Sequence, residues 1–158
     1  MKRHLSYFMV LVVLSAIACS KSRTPDAATS VSARDLAREE LEQLQGTWRI
    51  ESSVWNGVPE SDPGLSITLL VQGDKLIWLD RDGSRAFEDT IKLMPDQHPK
   101  AIDYWSKGGG QAAPGIYSLE GDTFTWCSAG GNNKVRPASF ASELGCKQSL
   151  MILRRLKS

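Results

Sequence analysis

From Thr47 to the last residues the chain alternates apolar and polar side chains with a period of two, and nothing else in it limits the fold as strongly. In "TWRIESSVW", Trp48, Ile50, Ser52 and Val54 fall on one face and Arg49, Glu51 and Ser53 on the other, as on a strand buried on one side. "LSITLLV" repeats the pattern with Leu65, Ile67, Leu69 and Val71. "KLIWLD" follows a Gly73-Asp74 turn, and Asp82-Gly83 marks a hairpin before "AFEDTIKL". "AIDYW", "GIYSL", "TFTWCS", a short "ASFAS" and "SLMILRRL" complete eight or nine candidate strands. Short strands joined by turns in this number predict an all-β fold, an antiparallel barrel or sandwich. "VQGDKLIWLD" and "LEGDTFTWCS" share a Gly-Asp turn with a tryptophan at the same offset, Trp78 and Trp126; two hairpins using one turn chemistry account for the echo.

The alternation is preceded by a different period. "SARDLAREELEQLQG" carries Ser32 as N-cap with Asp35 three residues on, apolar Ala33, Ala37, Leu41 and Leu44 at helical spacing, and Gly46 as a stop. One short amphipathic helix is predicted to cover part of the barrel. Before it, "SKSRTPDAATSVS" holds almost no bulky apolar residue and cannot bury enough surface to fold alone, so it reads as a tether.

The first residues read as an export signal: basic Lys2 and Arg3, an apolar run from Leu5 to Ile17, then small residues ending at Cys19. The run is shorter than the ~20 residues that span a bilayer. Ala18-Cys19 resembles a bacterial lipobox, in which the cysteine is lipidated and becomes the first mature residue. Several acyl chains on Cys19 hold a protein on a membrane more firmly than one. Ser20, where sorting rules of two-membraned bacteria disfavour Asp, points to the outer membrane. The expected organisation is therefore a lipoprotein signal peptide over 1–18, a flexible tether over 19–32 and one folded domain over 33–158.

Charge and chemistry-bearing residues exclude several function classes. The chain has 19 basic and 18 acidic residues, and loss of Lys2 and Arg3 with the signal leaves 17 basic, so there is no basic footprint for nucleic acid. With Cys19 lipidated, Cys127 and Cys146 form an even pair in an oxidising compartment and are expected to bridge, closing a loop whose constraint contributes roughly 3 kcal/mol. A structural zinc site needs about four Cys or His ligands, and His98 is the sole histidine left after the signal, so no metal and no cofactor are expected. His98 lies in the proline-flanked "DQHPK" turn without a Gly-x-Ser-x-Gly elbow anywhere, and the carboxylates Asp80, Asp89 and Asp103 read as residues of solvated strand faces. No catalytic residue is assigned and the chain is not expected to be an enzyme. "KGGGQ" and "AGGNNK" lack the Gly-Lys-Ser/Thr ending of a phosphate loop and read as mobile barrel loops.

Several ordered motifs carry a resemblance. "LQGTW", "GDKL", "IKLMPDQHPKAID", "PGIYSLEGDTFTWC", "RPASF" and "LMILRR" are similar to an uncharacterised lipocalin-like domain family recurrent in planctomycete proteins, over about Leu41 to the C-terminus. The resemblance implies a lipocalin-like (calycin-type) antiparallel β-barrel of about eight strands, on a secreted or lipid-anchored chain, and brings no activity or catalytic residue with it. In true lipocalins a tryptophan at the start of the first strand packs under an arginine from the last strand. Trp48 with Arg154 or Arg155 matches that arrangement and is expected to close the barrel floor, which sends any pocket to the opposite rim.

An interior of about eight strands is either filled or just wide enough for one small ligand. Trp78, Tyr104, Tyr117 and Trp126 are the candidate ligand-binding residues, since buried indoles and phenols need partners for their polar atoms. The favoured expectation is a membrane-anchored monomer that binds a small apolar or amphipathic molecule. The alternative is a cell-envelope interaction module with a filled barrel, which meets a protein or polysaccharide through its loops or outer face, with Trp55 and the glycine-rich loops then mattering more than the interior.

Overall fold

The computed structural model describes residues 32–61, 67–130 and 133–157; the expected signal peptide, the expected lipidation at Cys19 and the expected tether up to residue 31 fall outside the described residues. Ser32 opens the helix as its N-cap: its hydroxyl accepts from the Asp35 amide at 3.2 Å and donates to the Asp35 carboxylate at 2.8 Å. Helix α1 then runs over Ala33–Leu44, and Gly46, at a φ of 112°, turns the chain into the first strand.

Nine strands follow among the described residues: β1 (Gly46–Trp55), β2 (Val58–Pro59), β3 (Ile67–Gln72), β4 (Lys75–Asp80), β5 (Arg85–Met94), β6 (Ala101–Ser106), β7 (Ala113–Glu120), β8 (Thr123–Ala129) and β9 (Gln148–Arg155). All pairings are antiparallel between sequence neighbours, except that β1 skips the two-residue β2 to reach β3 and also pairs with β9. That last ladder, from Trp48↔Arg155 to Trp55↔Ser149, closes β1 and β3–β9 into an eight-stranded barrel and removes its free edges.

Register decides what points inward. Leu69 and Val71, Leu76 and Trp78, Ile91 and Leu93, Phe124 and Trp126 alternate into the interior with Trp48, Ile50 and Leu153. Strand β1 departs from strict alternation. A bulge between Ile50 and Ser52 shifts the pairing by one, so that Ser53 is buried and Ser52 exposed. Trp55, two residues past Ser53, therefore shares the inward face rather than the outer one.

The segment "ASFAS" forms no strand. It belongs to the long β8–β9 connection, which lies over the outside of the sheet, where the Cys127 thiol donates to the Ala141 carbonyl at 3.3 Å. Beneath this flap the outward residues Ala101, Ile116, Cys127 and Ala129 are buried. Arg136 fastens it, donating to the carbonyls of Ile102 at 3.2 Å and Gly115 at 2.5 Å and to the Asp103 carboxylate at 2.7 Å.

The expected disulfide is not formed: Cys127 and Cys146 are free thiols. The β8–β9 register sets Leu150, not Cys146, opposite Cys127, and Cys146 stands four residues earlier, before β9 begins. Burial, the larger effect, pushes the Cys127 thiol pKa up, against the hydrogen bond to Ala141.

One end of the barrel is shut by α1. Its last four carbonyls have no helical partners, and no basic residue of its own stands in its last turn. Each finds a donor nearby. The Gln45 side chain donates to Leu41 at 2.8 Å and the Gln45 amide to Glu42 at 3.3 Å, while Arg155 donates to Gln43 at 2.5 Å and the Trp48 indole to Leu44 at 2.9 Å. Arg155 also donates to the Gln45 carbonyl, and its guanidinium lies 4.1 Å from the Trp48 ring centre. The guanidinium over Trp48 is thus that of Arg155, whereas Arg154 reaches outward to Glu51 and Thr123.

Candidate functional site

Aromatic rings form a file through the barrel. Trp48 at the closed end meets Phe124 at 5.7 Å between ring centres, Phe124 stacks on Trp126 at 6.2 Å, Trp126 on Trp78 at 6.2 Å, and Trp78 on Phe87 at 5.2 Å. The file ends in the open, since Phe87 is 50% exposed. Trp78 and Trp126 come from β4 and β8, four strands apart around the ring of eight. Each stands five residues after a turn glycine, Gly73 at φ 58° and Gly121 at φ 57°. The echo in the sequence is therefore two opposite strands placing indoles at matching heights, where they stack across the axis.

The two halves of the interior differ in polarity. Towards the closed end it is apolar, with Leu44, Leu69, Val71, Leu153 and Phe124 at 2% exposure or less. Towards the rim the inward positions turn polar, with Ser53, Asp89 and Ser128 all buried. Asp89 is not on a solvated face as its sequence context implied. It accepts from the Trp78 indole at 3.0 Å and from the Ser106 hydroxyl at 3.0 Å. Asp80 is exposed and Asp103 pairs with Arg136 on the outer face, so the three carboxylates do not converge.

Of the four candidate ligand residues, three gather around Asp89. Tyr104 packs edge-on against Trp126 at 5.0 Å, and its hydroxyl reaches the Ala129 carbonyl at 3.4 Å. Burial, and to a smaller degree the charge of Asp89, raises the Tyr104 pKa, while a hydrogen bond with Ser128 lowers it. The Trp126 indole N–H is buried without a hydrogen-bond partner. It occupies a notch that a side chain at position 115 would fill, since a Cβ on Gly115 would lie 2.9 Å from it.

Tyr117 belongs to the other end. Its hydroxyl is buried without a hydrogen-bond partner, as is Glu40 Oε2 on α1, and burial followed by the charge of Glu40 pushes its pKa up. Lys100 donates to the other Glu40 oxygen and stands 6.0 Å from the Tyr117 ring centre.

The rim carries a second half-exposed aromatic residue, Trp55, whose ring sits so close to Gly130 that a Cβ there would lie 2.0 Å from it. Asn56-Gly57 turns β1 into β2, and this tip is held to the flap: Ser142 accepts from the Gly57 amide at 3.1 Å and Asn56 from the Lys147 amide at 2.8 Å.

A groove of about 320 Å³ between α1 and β5 is lined by Ala37, Leu41, Ile91 and Leu93 together with Arg34, Arg38 and Lys92. His98 is exposed on the β5–β6 connection, and among the described residues no three His, Cys, Asp or Glu side chains group as metal ligands. No described helix is long and apolar enough to cross a membrane.

Asp89 and the orphaned Trp126 donor were missed or undervalued in the sequence, because an acidic residue on an alternating strand looks solvated until register shows which face it shares. Set beside family models, curated proteins and solved structures, the chain matches none of them.

Proposed function

We propose that this protein is a lipid-anchored envelope protein whose barrel binds one small amphipathic molecule from its rim side. One observation carries the reading: the polarity of the interior is divided. The closed half is packed mostly with apolar side chains, its buried polar atoms being those of Tyr117 and Glu40 beside α1, and the rim half joins Asp89, Tyr104 and an unpartnered Trp126 N–H to the half-exposed ring of Phe87. Sites for small ligands have this makeup, apolar walls with a few convergent polar groups. The lipocalin-like sequence motifs support it independently, and the Ala18-Cys19 motif supports a lipidated Cys19 and placement on the outer membrane.

The test uses the Cys19→Ala protein, which is expected in the soluble fraction while the parent stays with membranes. An unchanged membrane fraction overturns the anchor. Titrating the soluble protein with octanol, octylamine and octanoate below micellar concentration should give a saturable change in tryptophan emission with at least one of them. No saturable change with any of the three overturns the binding function.

Val135, Phe140 and Leu144 favour the alternative reading, an interaction module, because all three are exposed on the β8–β9 flap. Under that reading the three amphiphiles leave the emission unchanged, and Leu144→Asp abolishes capture of the envelope partner.

A further inference from the structure

Asp89 sets the chemistry of the ligand. Its carboxylate is 5% exposed inside an aromatic barrel, where an anion loses its hydration and needs compensation. Among the described residues it receives two side-chain hydrogen bonds, both from neutral groups, the Trp78 indole and the Ser106 hydroxyl. A carboxylate accepts at about four positions, so part of its capacity is left open.

Cations of the neighbouring elements are engaged elsewhere. Lys75 donates to Thr90 and pairs with Asp74, while Arg85 and Lys107 both pair with Glu88 on the opposite face of β5. Lys92 lies on that outer face too and lines the α1 groove. None of the ion pairs among the described residues includes Asp89.

The surroundings favour positive charge a second time. Trp78 is stacked between Phe87 and Trp126, so the ring left open beside Asp89 on this strand is the half-exposed Phe87, while Tyr104 meets Trp126 edge to face. Ring faces attract an ammonium group, most strongly where water is excluded. Phe87 lies two residues from Asp89 on the same face of β5 and is half exposed, so the ring surface leads from the rim to the carboxylate.

Resting on the binding function argued above, we propose that the ligand is a cationic amphiphile, an apolar body with a protonated amine, whose ammonium pairs with Asp89 beside the rings of Phe87 and Tyr104. The Ser106 and Trp78 hydrogen bonds hold the carboxylate in place before the ligand arrives, so little is lost in ordering it.

The same three eight-carbon probes test this. Octylammonium is expected to bind at least tenfold more tightly than octanol, and octanoate more weakly than either. Asp89→Asn keeps the shape and an acceptor for Trp78 but removes the charge. It should bring the amine-to-alcohol preference below about twofold, and an unchanged circular dichroism spectrum with a cooperative thermal transition reports an intact barrel. Equal affinity of the parent for amine and alcohol overturns the proposal without the variant, as does an undiminished preference in Asp89→Asn. Saturable octanol binding with no amine preference leaves the binding function standing, whereas no binding by any probe removes both.

Discussion

Trp48 and Arg155 each do more than fill space. The indole removes on the order of 200 Å² from water, worth about 5 kcal/mol, and its N–H also satisfies Leu44 at the end of α1. Truncating it leaves a cavity under the helix and an orphaned carbonyl together. Trp48→Ala is therefore expected to lower unfolding free energy by roughly 3–5 kcal/mol in denaturant titration, with amphiphile affinity in the surviving folded fraction changed less than twofold. A tenfold loss of affinity at unchanged stability would place Trp48 in the binding site instead. Arg155 supplies the positive charge that the end of α1 lacks, stacked on an indole and shared between two carbonyls. Lysine has one compact donor head and cannot fill that role.

At the scale of elements, the β8–β9 connection behaves as an added layer on the outside of the barrel. Arg136 is its fastener, and the cover it provides keeps Ile116 and Cys127 dry. Arg136→Ala should cost about 2 kcal/mol, since hydrogen bonds to a charged group are lost. Hydrogen exchange should quicken over 133–147 while β4 and β5 keep their protection; uniform acceleration throughout would mean that the flap and barrel open as one unit. Alternation made the strands legible, from "KLIWLD" to "SLMILRRL", because one face of each is buried and the other wet. The flap was not legible: "ASFAS" alternates like a strand, yet Ala138–Ser142 packs on an already paired sheet. The bulge in β1 was hidden for a related reason, because Ser52 and Ser53 are the same residue and either could serve as the inward one. The disulfide expected from a count of cysteines is absent, and the Cys127 thiol instead donates to the Ala141 carbonyl of the flap.

For the whole molecule, ionisation gives a global readout of the interior. Tyr104 and Tyr117 are the two tyrosines of the domain, and both have a pKa raised from the usual 10.0, chiefly by burial. Above pH of about 10 the unfolded chain releases phenolic protons that the folded chain retains, so stability falls as pH rises. This contribution is whole below that pH and is lost as pH climbs towards the folded values. A spectroscopic titration should show no tyrosinate until unfolding begins, and both phenolates appearing together with it. Early ionisation of one tyrosine in the folded protein would show that its end of the barrel is wet. The aromatic core of the site, Trp78, Tyr104 and Trp126, was visible in the sequence because large rings on alternating strands have few places to go. Asp89 was not, since its burial depends on pairing with a strand that comes later in the chain.

The cap on α1 has a consequence for the order of events during folding. The helix is the first folded element of the domain, but the guanidinium that finishes its end comes from β9, 112 residues after the carbonyl it reaches at Gln43. The ladder that closes the ring joins those same distant segments. A chain emerging from its N-terminus thus carries an unfinished helix and a first strand with one edge open, its other edge paired with β3, until almost its whole length is available. Such long-range pairing is slow to form. The fold is complete only when the last strand arrives, because that strand supplies both the closing ladder and the cap of the first helix.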